Sequence, residues 1–127
     1  MKTREQLIEK IAILEMKRMR FSDSENYCRD KAYRDYTSDY PCGSGDGWAD
    51  AAHRWKKKKE RISDKIHKLV FRNSLGTDLR EEYEKVKEFL SLPENKEKVL
   101  AGNRQKTAEV KLQFDKEFLE EEPIELE

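Results

Sequence analysis

The chain has 127 residues, 35% of them hydrophobic and 43% charged, and its 27 basic and 27 acidic side chains leave no net charge. That length fits one domain, and so few apolar residues argue against a thick globular core while suiting long helices that each bury a single stripe. No apolar run is long enough to span a bilayer, no signal-peptide pattern opens the chain, and the two cysteines, Cys28 and Cys42, lack metal-ligand or redox spacing, so the expectation is a reduced, cytoplasmic protein without membrane association.

The first helix is expected to start at Thr3, a good N-cap. Leu7, Ile11, Leu14, Arg18, Phe21, Glu25, Cys28 and Ala32 follow a 4-3 spacing, a heptad seam with two charged members. Ile8, Met16 and Met19 widen the stripe. Ser22-Asp-Ser-Glu25 has the form of a capping box, which predicts a break near Phe21 and a restart. Tyr33, Tyr36 and Tyr40 then share one helical face before Pro41 stops the helix.

Tyr40-Pro-Cys-Gly-Ser-Gly-Asp-Gly-Trp48 concentrates turn residues. Asp46 is the expected cap of a second helix whose seam is Trp48, Ala52, Trp55, Lys59, Ile62, Ile66 and Leu69. Two such helices around a glycine-rich tip at 41–47 predict an antiparallel, coiled-coil-like hairpin over residues 1–74. A turn centred near residue 43 or 44 places Leu14 and Phe21 against Ile62, Ile66 and Leu69, and brings Lys59 within a turn of Glu25 and Cys28. Lys59 then either pairs with Glu25, fixing the register, or snorkels to solvent.

Asn73-Ser-Leu-Gly76 ends the second helix, with Gly76 suited to a left-handed cap. Thr77 is the expected N-cap of a third helix carrying Leu79, Tyr83, Val86 and Leu90. Ser91 is the expected cap of a fourth, with Pro93 in its first turn, and Ala101-Gly102-Asn103 ends it. From Arg104 to Glu122 two patterns compete. Val110, Phe114 and Phe118 lie on one helical face, whereas Val110, Leu112 and Phe114 alternate as in a strand. With no second strand to pair, helix is favoured, unless the segment adds to a partner's sheet. The fold class expected is all-α: a long hairpin, then smaller helices over 75–122, and an acidic tail at 123–127.

Charge is segregated along the chain. Residues 48–74 hold nine basic and three acidic side chains, a net of +6, and residues 75–127 hold nine basic and fifteen acidic, a net of −6. The acidic tail is expected to lie near the Lys56–Lys59 face and to screen it.

Catalysis finds no constellation. His53 and His67 are fourteen residues apart on one helix, roughly 20 Å at the helical rise, and Asp50 beside His53 is an ordinary surface pair. Cys28 falls on the seam, and Gly43-Ser-Gly-Asp-Gly47 lacks the strand and the Lys-Ser/Thr of a phosphate loop. No enzymatic activity, cofactor or metal is expected. Two binding readings remain. Tyr33, Tyr36, Tyr40 and Trp48 cluster at the tip and are the residue types that anchor interfaces, pointing to an adaptor or inhibitor that docks on a larger protein or nucleoprotein, with a homodimer as a further option. Small size, high charge and an acidic tail are also common among phage and accessory proteins. Alternatively Arg54, Trp55, Lys56, Lys57, Lys58, Arg61 and Lys65, with Lys59 and Lys68, form a basic helix able to follow a nucleic-acid backbone.

Overall fold

The computed structural model describes residues 3–38 and 44–119. The fold is all-α, with no strand among the described residues. Five helices follow in order: α1 (Arg4–Tyr36), α2 (Gly45–Phe71), α3 (Arg80–Ser91), α4 (Pro93–Leu100) and α5 (Arg104–Phe114), the last running into a π-helical turn, Asp115–Leu119. α1 has 33 residues, about 50 Å at 1.5 Å per residue, and α2 returns along it as the second arm of the hairpin.

Thr3 caps α1 as expected. Its Oγ1 accepts from the Gln6 N–H at 3.2 Å, and its own N–H donates to Gln6 Oε1 at 3.0 Å. The expected break near Phe21 does not occur, and α1 is continuous. The Glu25 carboxylate, which a capping box would send back to Ser22, points across the hairpin to Lys59 instead.

α2 begins at Gly45, already inside the glycine run, and Asp46 lies in its first turn rather than capping it. The capping role passes to the other helix: the Gly45 N–H donates to Asp35 Oδ2 at 2.8 Å. With helix ends at Tyr36 and Gly45, the midpoint of the hairpin lies nearer residue 40 than 43–44. Facing pairs shift accordingly, and Phe21 meets the ring of Trp55, centroids 5.4 Å apart. Pro41 and the remainder of the turn, residues 39–43, lie outside the described residues.

Between α2 and α3, Gly76 takes φ +65, a left-handed conformation that glycine adopts without steric cost. Asn73 organises this loop, its Oδ1 accepting from the N–H groups of Leu75 and Thr77 at 3.0 and 3.2 Å. Thr77 does not cap α3; Asp78 Oδ1 accepts from the Arg80 N–H at 2.9 Å. Ser91 likewise closes α3, donating to the Lys87 carbonyl at 2.6 Å, rather than opening α4. Pro93 does sit in the first turn of α4, and Asn103 caps α5, accepting from the Gln105 N–H at 2.8 Å. Over 104–114 the helical pattern prevails: Val110 and Phe114 are buried while Leu112 is 56% exposed, which strand alternation does not allow.

Two apolar clusters share α1. One face of its first half, Leu7 and Ile11, packs on Ile62, Ile66 and Val70 of α2 and on Leu79, with Leu14, Phe21 and Leu69 at the margin. An adjacent face, Ile8, Ala12 and Met16, packs on Val86, Phe89, Leu90, Val99, Val110 and Phe114 of α3–α5. Phe89, Phe114 and Phe118 stack into one aromatic group. A buried polar group crosses this base: Glu15, 2% exposed, accepts from Arg18 at 2.9 and 2.6 Å and from the Tyr83 hydroxyl at 2.8 Å. Burial and the adjoining carboxylate push the Tyr83 phenol well above its ordinary range.

Candidate interaction surfaces

The far half of the hairpin is built differently. Its buried residues are small: Cys28 and Ala32 on α1, Gly45 and Ala52 on α2, and none belongs to either apolar cluster. Small seam residues let two helix backbones approach, so the large side chains lie outside the seam. Tyr27 meets Trp48 edge to face, centroids 5.8 Å apart, and Lys31 stands over the Tyr27 ring.

Glu25 marks the junction between the two halves. It is 4% exposed, with Oε1 2.7 Å from Lys59 Nζ and Oε2 2.6 Å from the Arg29 guanidinium. Burial alone raises a carboxyl pKa, but the two cations outweigh it and hold Glu25 below the usual carboxylate range. Of the two readings open for Lys59, pairing is the one realised.

The four tip residues named from the sequence fare differently. Tyr33 is 67% exposed. Tyr36 is 54% exposed, yet its ring edge lies against Gly45, where an added Cβ would stand 2.7 Å from Cε1. The Tyr36 hydroxyl donates to Asp46 Oδ1 at 2.6 Å, and that bond pushes its phenol above the ordinary value. Tyr36 is therefore a clasp between the helix ends as well as a surface ring. Trp48 is half-buried beside Tyr27, and Tyr40 lies outside the described residues. Tyr27, 56% exposed, belongs to this surface by geometry.

On α2, Arg54, Lys56, Lys57, Lys58, Arg61 and Lys65 are all exposed. Among the described residues none of the six has a carboxylate within ion-pair distance. Trp55 is not a free stacking platform. Phe21 covers one side of it and Lys58 Nζ sits 4.6 Å from its ring centroid. The acidic groups of the π-helical turn are engaged locally, Asp115 with Lys111 and Glu117 with Gln113. The rest of the acidic tail lies outside the described residues.

His53 and His67 are exposed on α2, and Cys28 is a buried free thiol. Among the described residues no group of three His, Cys, Asp or Glu side chains is placed to hold a metal ion, and no helix is long and apolar enough to cross a membrane. Comparison with protein-family models, curated proteins and solved structures finds no match.

Proposed function

We propose that this protein is a small cytoplasmic helical interaction module, an adaptor or inhibitor without catalytic activity of its own. It docks through the end of its hairpin on a larger protein or nucleoprotein. One observation supports this reading: three tyrosines, Tyr27, Tyr33 and Tyr36, leave more than half their surface in water at the end of an arm otherwise sealed by small residues. Exposed Tyr supplies large contact area at low entropic cost, which is why it recurs as an interface anchor. A photoreactive residue in place of Tyr33, with the same group at exposed Glu81 as control, tests it in native lysate. The expected result is cross-linking to one larger protein from position 33 only, lost in the Tyr27→Ala variant. Equal labelling from both positions, or none from position 33, overturns the reading.

A second reading is favoured by the unpaired cations of α2. A polyanion laid along Arg54–Arg61 would bind with a steep salt dependence, since each neutralised phosphate releases counterions. Retention on a phosphate matrix that survives moderate salt, and disappears in Lys57→Glu/Lys58→Glu, would carry this reading over the first.

A further inference from the structure

The cations of α2 continue past Arg61 into a groove at the base of the hairpin that neither reading uses. The groove lies between α1 and α2 and has a volume of about 670 Å³. Its floor is apolar, formed by Leu7, Leu14 and Leu69, and its rim is cationic, formed by Lys10, Lys65, Lys68 and Arg72. Among the described residues no acidic side chain and no residue of α3–α5 lines it. Those three helices pack on the opposite side of α1, against Ile8, Ala12 and Met16, so none of them closes this side.

The rim belongs to a longer pattern. Arg54, Lys58, Arg61, Lys65, Lys68 and Arg72 recur at 4-3 spacing, which places them in one row along α2 and its C-terminal cap, next to the seam. All six are exposed, as is Lys10 across the groove. Among the described residues none of these seven cations has a carboxylate within ion-pair distance. Like charges one turn apart repel on a helix, so the row gains most from a partner that supplies the missing carboxylates.

Spacing selects the form of that partner. Successive cations of the row stand three or four residues apart, about 5 Å along the helix axis. A second helix repeats side chains on one face at the same interval, so its acids stay in step along the row. An extended segment repeats every two residues, about 6.6 Å, and falls out of step. A nucleic-acid backbone would neutralise the row but leave the leucine floor in water. Leu7 and Leu14 lie two turns apart on α1, which leaves room for apolar residues at i, i+3 or i+4, and i+7 of a helix laid along the groove.

We propose that the groove binds an acidic amphipathic helix of a partner protein. Its apolar stripe rests on Leu14 and Leu69, above Leu7. Its carboxylates face Lys10 on one side and Lys65, Lys68 and Arg72 on the other. Apolar contact supplies affinity, and the cations reject basic helices. This contact is separate from the tyrosines of the tip and does not depend on them.

The probe is a fluorescent peptide of about 18 residues built from Glu, Ala and Leu, long enough to be helical in water when Ala-rich, with its leucines in one stripe. Anisotropy with the full chain is expected to show at least about tenfold tighter binding than for a peptide of the same composition with dispersed leucines, and an affinity that falls with salt. Lys65→Glu should weaken binding at least about tenfold, whereas Lys56→Glu, the same charge change outside the row, should alter it by less than about twofold. Both sites are exposed, so circular dichroism and the urea midpoint should not move. The peptide comparison uses the unaltered chain and stands whatever a substitution does to folding. Equal affinity for the striped and dispersed peptides, equal losses in Lys65→Glu and Lys56→Glu, or no binding of the striped peptide overturns the proposal. So does full displacement of the peptide by an equal concentration of a charge-matched oligonucleotide, which would give the row to a nucleic acid. Self-association of the unaltered chain that Lys65→Glu abolishes would give the groove to a second copy and overturn the proposal too.

Discussion

The two halves of the hairpin use the same 4-3 spacing to different ends. In the base, α1 is covered on two faces, by α2 and by α3–α5, and large side chains fill both seams. In the arm, α1 has α2 as its neighbour in the seam, and the buried positions are Cys28, Ala32, Gly45 and Ala52. The base therefore carries most of the buried apolar area and the arm rather little. Since stability follows that area, the base is where unfolding must be global, and the arm is where local opening is cheapest. Large rings excluded from a narrow seam end up exposed towards the tip.

Truncating the base should have the largest effect. Phe114→Ala, at a site 1% exposed, should cost about 3–5 kcal/mol and Ile66→Ala about 2–4 kcal/mol in urea unfolding, through lost transfer energy and the cavity left behind. A loss below about 0.5 kcal/mol, the scale of surface substitutions, would place either residue outside the core and remove the contrast between the halves.

Overfilling the arm should cost less and stay local. A Cβ at Gly45 would meet Asp35 Oδ2 and Tyr36 Cε1, each at 2.7 Å. Gly45→Ala should cost about 1–3 kcal/mol, and hydrogen exchange should quicken at the ends of α1 and α2 while amides around Ile11 and Ile66 keep their protection. Uniform loss of protection would mean that arm and base unfold as one unit.

The junction should respond to acid. Glu25 titrates lower in the folded chain than in the unfolded one, because Lys59 and Arg29 outweigh its burial. Its contribution is therefore present above the ordinary carboxylate pKa of about 4.3 and is lost as pH falls through the lower folded value. Glu25→Gln should cost on the order of 1 kcal/mol at neutral pH, and the difference from the unaltered chain should shrink on acidification. A difference that is constant with pH would show that packing, and not the ion pair, holds the junction.

The smallest expected effect on stability is at the tip. Tyr33→Ala should change unfolding by no more than about 0.5 kcal/mol while weakening partner capture. Tyr36→Ala should weaken capture and also fray the arm, because Tyr36 clasps Gly45 and Asp46. A measurable loss of global stability in Tyr33→Ala would make that ring structural.

Much of this architecture was legible in the chain because helices announce themselves locally. The Thr3 cap, the apolar seams, Gly76, Pro93 and the Ala101-Gly102-Asn103 stop each act through residues within a turn or two, and the charged residues on the seams made a Glu25–Lys59 pair one of two readings for Lys59, which the structure then decides. Errors arose where a local signal met a distant partner. Ser22-Asp-Ser-Glu25 reads as a cap, but Lys59 draws Glu25 away. Asp46 reads as a cap, but Asp35 takes that place and Tyr36 engages Asp46. Thr77 and Ser91 lose their expected capping roles because α3 starts after Leu79 and α4 after Leu92, neither with a side-chain cap, while Ser91 bonds back to the Lys87 carbonyl.

By itself, the sequence determined the all-α class, the hairpin and its charge layout, since hydrophobic period, turn residues and charge are properties of neighbours along the chain. Only the tertiary structure decided that α1 is buried on two faces at its base, that Glu15 lies buried against Arg18 and Tyr83, and that a leucine floor meets a lysine rim beside α2. These features join residues far apart in sequence, Glu15 and Tyr83 by 68 positions, and such meetings are set by how helices pack rather than by any spacing within one helix.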